Sequence, residues 1–276
     1  MRGKKAKQLR VDRTAERDAA RRKQRQQTLF TVIVVAIIVG IGGVLVAVSM
    51  DRPSEDLADN PTEFPTDLPT DGASEAPDDR PVACGAEAPE TAGSPKGTFP
   101  EPEQVLEEGT DYSAVFRTSC GRVRVDLFEE EAPETVNSFV FLAQQGFFDG
   151  LEIFRNATSI GALQSGSGTN DASWDVGYTI PDELGKAEED GYPLGALAMA
   201  NAGPDTAGSQ FFFVYNELFD EAFADNRAYT VFGVADAKGQ EILAQIGAIP
   251  TAEEGGAPSE TPTEITYIES VKITAK

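Results

Sequence analysis

Apolar positions along this chain fall into three regimes. Residues 29–50 are twenty-two positions without a charge, rich in Val and Ile. At about 1.5 Å per residue a helix of that length spans roughly 30 Å, the thickness of a hydrocarbon core. Residues 51–110 then carry few large apolar side chains among many Pro, Asp, Glu, Thr, Ala and Gly. That composition cannot bury enough apolar surface to offset chain ordering, so an extended, disordered tether is expected. From residue 111 onward the apolar positions return in short runs.

Those runs predict a mainly β domain over 111–276. Tyr112 to Thr118 and Arg122 to Phe128 alternate around Ser119-Cys120-Gly121 and read as a hairpin. Pro133 opens a helix, with Val136, Phe139, Val140 and Ala143 on one face and Gly146 beyond its end. Leu194 to Met199, Phe211 to Tyr215 and Val231 to Val234 are further strand candidates. A second helix covers Gly239 to Ile246, and a last alternating strand runs from Ile265 to Ile273. Many short strands with two helices suggest a closed antiparallel barrel whose ends the helices cover.

Charge adds topology. The net charge is −23, yet residues 1–28 hold eleven Lys/Arg against three Asp/Glu, a local +8 that leaves −31 for the rest. An acidic body argues against nucleic-acid binding. A basic segment before the apolar run places the N-terminus in the cytoplasm and residues after 51 outside, making the chain a single-pass cell-membrane protein. A cleaved signal peptide is the competing reading, since Ala47-Val48-Ser49 has a small-x-small pattern. The apolar run is longer than the usual signal core, which favours a retained transmembrane helix.

The chain has two cysteines, Cys84 and Cys120, and no histidine. An even pair outside the cytoplasm is expected to form a disulfide. Zinc, Ser-His-Asp and Cys-His chemistries are excluded. Gln164-Ser-Gly-Ser-Gly-Thr169 lacks the lysine of a phosphate loop. The acidic clusters at Asp182-Glu183 and Glu188-Glu189-Asp190 read as solvated loop charges. No cofactor is implied.

One stretch asks for more than packing: Met199-Ala-Asn-Ala-Gly-Pro-Asp-Thr-Ala-Gly-Ser-Gln-Phe-Phe-Phe213, an amide-bearing loop running into an aromatic strand. It resembles the signature of the cyclophilins, peptidyl-prolyl cis-trans isomerases. Ala132-Pro-Glu-Thr-Val-Asn-Ser-Phe139, Phe148-Asp-Gly150, Ile153-Phe-Arg155, Leu163-Gln-Ser-Gly166, Tyr178-Thr-Ile-Pro-Asp-Glu183 and Tyr229-Thr-Val-Phe-Gly233 follow in the family's order. The resemblance implies a closed eight-stranded barrel with two capping helices. It also implies an activity on proline-containing segments, here those of exported or envelope proteins.

By the same resemblance Arg155 is the catalytic arginine, and Gln164 and Gln210 orient it or the peptide. Ala200 and Asn201 bind the peptide through their backbone, and Phe212 lines the proline pocket. The family's Phe-Met pocket wall is absent: Gly161 and Ala162 stand there, with Ile160 and Leu163 as substitutes. Phe223 stands for the family's Trp-Leu pair, and Tyr229 occupies a late His/Tyr position. A thinned pocket predicts low activity, or a non-catalytic proline-peptide binder.

Overall fold

The computed structural model describes residues 78–254 and 257–276. The basic leader, the apolar run at 29–50 and the first part of the expected tether lie outside the described residues. No helix among the described residues is long and apolar enough to cross a membrane.

Period-two alternation builds the first hairpin. β1 (Tyr112–Thr118) and β2 (Gly121–Leu127) pair antiparallel. Phe116, Val123, Val125 and Leu127 turn inward, while Arg117, Arg122, Arg124 and Asp126 face out. Seven further strands are β3 (Leu151–Glu152), β4 (Arg155–Ala157), β5 (Ala162–Ser165), β6 (Ala196–Met199), β7 (Phe211–Val214), β8 (Val231–Ala235) and β11 (Tyr267–Ala275). They join the hairpin in a nine-stranded sheet of order β3-β11-β1-β2-β8-β6-β7-β5-β4.

The sheet is antiparallel throughout and curled, as the expected barrel requires. Its two end strands, β3 and β4, do not pair with each other. They are successive segments of the chain, separated only by Ile153-Phe154. This one segment pairs with β11 through β3 and with β5 through β4, so the chain itself carries the curl round.

Two helices flank the sheet as expected. In α1 (Pro133–Gln144) the proline sits in the first turn, and Gly146 follows at φ 65°, a backbone that favours glycine. Two short helices, α2 (Gly185–Asp190) and α3 (Leu218–Ala222), are additional. In α4 (Ala237–Gly247) the Asp236 carboxylate caps the first turn, accepting from the Gly239 N–H at 2.7 Å. The core is aromatic: Phe116, Phe139, Phe148, Phe211, Phe213 and Phe232 form one connected group with contacting centroids 5.1–6.1 Å apart.

Residues 78–110, expected to belong to the tether, are laid against the domain instead. The Phe99 ring stands edge-on to Phe141 at 5.2 Å, and its N–H donates to the Val176 carbonyl at 2.8 Å. The Asn137 side chain accepts from the Val105 and Leu106 N–H groups and donates to the Glu103 carbonyl. Arg80 reaches the Glu152 carboxylate at 2.8 Å and the Pro262 carbonyl at 2.9 Å. The correction has a physical cause. A strap that docks through a few widely spaced side chains needs no periodicity, so its composition looks disordered.

Cys84 and Cys120 are bonded, which pins the strap to the β1–β2 turn. A second hairpin, β9 (Thr251–Glu254) and β10 (Ala257–Pro262), forms a separate two-stranded sheet. Its Pro, Thr and Glu content hid it from the pattern reading.

The bridge closes a sequence separation of 36 residues. Chain-entropy reasoning gives it about 3–4 kcal/mol. The C84S/C120S chain is expected to unfold at correspondingly lower urea than the parent, and reductant should lower the parent's midpoint but not the variant's.

Candidate functional site

Strand register assembles the site. Arg155 on β4 lies opposite Gln164 on β5, Gln164 opposite Phe212 on β7, and Phe212 opposite Ala198 on β6. Directly opposed residues share a face, so these four form one row across the sheet. The adjacent row, Leu163, Phe213 and Leu197, faces the other way, into the aromatic core.

The row is wired by side-chain hydrogen bonds. Arg155 Nη1 donates to Gln164 Oε1 at 2.9 Å, and Gln164 Nε2 donates to Gln210 Oε1 at 2.9 Å. Gln210 Nε2 donates in turn to the carbonyls of Ala172 and Trp174, each at 3.2 Å. Gln164 is 8% exposed and has both amide ends satisfied, which fixes its orientation. Arg155 Nε donates to Glu260 Oε2 on β10 at 2.5 Å.

An aromatic wall stands beside this chain. The Phe212 ring lies 4.9 Å from Phe219 and 5.3 Å from Tyr229. Phe223 stacks on Phe219 at 4.6 Å and meets Tyr229 at 5.3 Å. Tyr192 backs the group, edge-on to Phe219 at 5.1 Å, with the Arg227 guanidinium over its ring. Burial pushes the Tyr192 phenol up to about 12. Burial also raises the Tyr229 phenol, and the positive charge of Arg155 pulls it the other way, so arginine and wall share one local field.

Arg155, Gln164, Gln210, Phe212, Phe223 and Tyr229 are thus brought together. Ala200 and Asn201 follow β6. The Ala200 N–H donates to the Gln210 carbonyl at 2.9 Å, holding this corner to β7. The Asn201 side chain donates to the Ala228 carbonyl at 2.8 Å and so braces the approach to Tyr229. Its main-chain N–H and C=O take no partner among the described residues.

Two expected wall residues stand elsewhere. Leu163 is 1% exposed in the main core, because the pleat turns it away from its neighbour Gln164. Ile160 is half-buried in the β4–β5 turn, its N–H donating to the Ala157 carbonyl. Next to it Gly161 has φ +76°, and a Cβ there would come within 2.2 Å of Asn216 Cβ. No larger residue fits at Gly161, and Ala162, two residues before Gln164 and on its face, presents only a methyl group.

Pattern reading missed two residues of this region. Phe219 touches Phe212, Phe223, Tyr192 and Tyr229 and is 2% exposed. Its i, i+4 spacing from Phe223 was a usable signal. Glu260 lies in a Pro-rich stretch with no motif to reveal it.

Residues 114–273 match the family model described as cyclophilin type peptidyl-prolyl cis-trans isomerase/CLD. A relative from Mycobacterium tuberculosis, named probable peptidyl-prolyl cis-trans isomerase B, is 37% identical over 180 residues, covering 61% of this chain and 56% of its own. The Mycobacterium leprae protein of that name is 36% identical, covering 63% and 61% respectively. The chain therefore spans little more than half the length of these two relatives. Probable peptidyl-prolyl cis-trans isomerase A of Mycobacterium bovis is 33% identical over 58% of this chain and 91% of its own. Among solved structures, a cyclophilin-type isomerase of Cryptosporidium parvum superposes with a TM-score of 0.52 at 24% identity, over 60% of this chain and 99% of its own.

Phe219→Ala empties the centre of the aromatic wall and is expected to cost about 3–5 kcal/mol of stability. Leu218→Ala, at a neighbouring side chain that is 44% exposed, should cost under about 1 kcal/mol. Urea titration of both variants checks the contrast.

Proposed function

The chain belongs to the cyclophilin-type peptidyl-prolyl cis-trans isomerase family, and we propose that it catalyses rotation about X-Pro bonds at the face built by Arg155, Gln164, Gln210 and Phe212. The observation that carries this reading is the Arg155–Gln164–Gln210 chain beside the Phe212 wall. An X-Pro bond rotates over a barrier near 20 kcal/mol because the planar amide is conjugated. Twisting breaks that conjugation and localises the lone pair on the prolyl nitrogen. A guanidinium N–H at that nitrogen stabilises the twisted amide more than the planar one.

Each part of the site has a task in this scheme. The rings of Phe212, Phe223 and Tyr229, packed on the buried Phe219, offer an apolar surface for the pyrrolidine. Gln164 holds one edge of the guanidinium through Nη1, Gln210 sets Gln164, and the free main-chain groups of Asn201 bind the flanking peptide. No covalent intermediate or cofactor enters. A cyclophilin-type isomerase of Cryptosporidium parvum has been crystallised in the presence of the dipeptide Ala-Pro, which supports this substrate class.

The second reading, a proline-peptide binder with little turnover, is favoured by Ala162. A single methyl on the pocket side grips the ring less than a large side chain, which weakens the hold needed while the amide twists. Exchange of an Ala-Pro peptide, followed by NMR with catalytic amounts of the chain, separates the readings. Arg155→Ala is expected to lower kcat/KM by about 100-fold. Equal rates for parent and variant at the uncatalysed level would refute the isomerase, and retained peptide binding in that case would support the binder.

The clients are taken to be exported or envelope proteins, with the chain held in the cell membrane by residues 29–50 and its domain outside the cytoplasm. The apolar run, the basic leader and the Cys84–Cys120 bond support this placement. Resistance to alkaline carbonate extraction, with release by detergent, is the expected behaviour. A chain starting near residue 50 and found in the medium would instead indicate cleavage.

A further inference from the structure

The β9–β10 hairpin is built around an irregularity. Pro258 pairs with Glu253 and Pro262 with Thr251, so Ser259, Glu260 and Thr261 stand opposite the single residue Ala252. Such a bulge re-aims a side chain that regular pairing would direct elsewhere. Proline bounds it on both sides, fixing φ at each end. Inside it the Thr261 N–H donates to Ser259 Oγ at 3.2 Å. The base is anchored as well, since the Pro262 carbonyl accepts from Arg80 and the Pro250 carbonyl accepts from the Thr263 N–H. From this braced bulge the Glu260 carboxylate reaches Arg155 Nε at 2.5 Å.

The arginine is thus held on two edges. Glu260 takes Nε and Gln164 takes Nη1, while Nη2 has no partner among the described residues. Two bonds on a planar guanidinium fix its plane as well as its position, which one bond cannot do. The side chains of Arg155 and Glu260 are 26% and 30% exposed, so water screens their charges and the pair adds little to stability. What the contact supplies is direction.

We infer that Glu260 is a positioning residue for the isomerase: it acts through Arg155, holding the guanidinium so that its remaining N–H groups are presented to the twisted amide. The inference rests on the function proposed above. A reactive group displaced by about 1 Å can lose up to about 100-fold in rate, so a freed arginine should be measurably slower.

The test uses Glu260→Ala, Glu260→Gln and the same Ala change in an Arg155→Ala background, with urea midpoints confirming that each variant folds. Glu260→Ala is expected to lower kcat by about tenfold with KM within about twofold. Glu260→Gln keeps an oxygen to accept from Nε and should stay within about threefold of the parent. Without Arg155, Glu260→Ala should change nothing. An unchanged or raised kcat in Glu260→Ala, or an equal loss in both backgrounds, would overturn the inference. A separate readout covers a parent that proves inactive: the Arg155 Nε–H resonance should be protected from exchange in the parent and lost in Glu260→Ala. Equal protection in both would dismiss the contact whatever the activity.

Discussion

The ladder joining β4, β5, β6 and β7 puts Arg155, Gln164, Phe212 and Ala198 in one row, and every other feature of the site is subordinate to that register. Side chains alternate across a pleated sheet, so a slip of one residue would send Arg155 and Gln164 toward the aromatic core and Leu163 out of it. The core row of Leu163, Phe213 and Leu197 prevents the slip, because those side chains are buried to within a few per cent of full exclusion. Packing on one face thereby sets the chemistry on the other. The hydrogen bonds from Arg155 to Gln164 to Gln210 refine a placement that hydrophobic burial has already chosen.

Around that row the molecule adds supports drawn from distant parts of the chain. The wall rings come from β7, from α3 and from the segment before β8, and Tyr192 and Arg227 brace them from behind. The strap and the second hairpin meet where Arg80 holds both Glu152 and Pro262. Glu152 ends β3, and Pro262 ends the hairpin that carries Glu260 to the arginine. The strap is therefore mechanically connected to the hairpin beside the site, and the Cys84–Cys120 bond ties that strap to the β1–β2 turn.

Much of this was legible in the sequence, in proportion to how local its cause was. The alternation of β1 and β2, the proline that opens α1 and the aromatic run of β7 each declared an element through neighbouring residues. The row of Arg155, Gln164 and Phe212 was found through motif order, which stands in for the three-dimensional register. Leu163 lies in the core because the pleat turns it away from Gln164, an alternation that motif order does not carry. The split of one segment into β3 and β4 was hidden because each piece is too short to announce itself. Residues 78–110 and Glu260 were hidden for a different reason: their contacts are with residues far away in sequence, and composition alone resembles a spacer.

The position of β11 has a consequence for the life of the chain. It lies between β3 and β1, and its Ala275 pairs with Tyr112, the first residue of β1. The earliest strand of the domain thus waits for one of the latest segments before its second edge is covered. Contacts of such long sequence separation form slowly, and unpaired edges left open meanwhile invite association with other chains. A ribosome delivers the chain in order, so the sheet cannot be complete until the segment 267–275 has emerged. Completion of this domain is timed from its last strand.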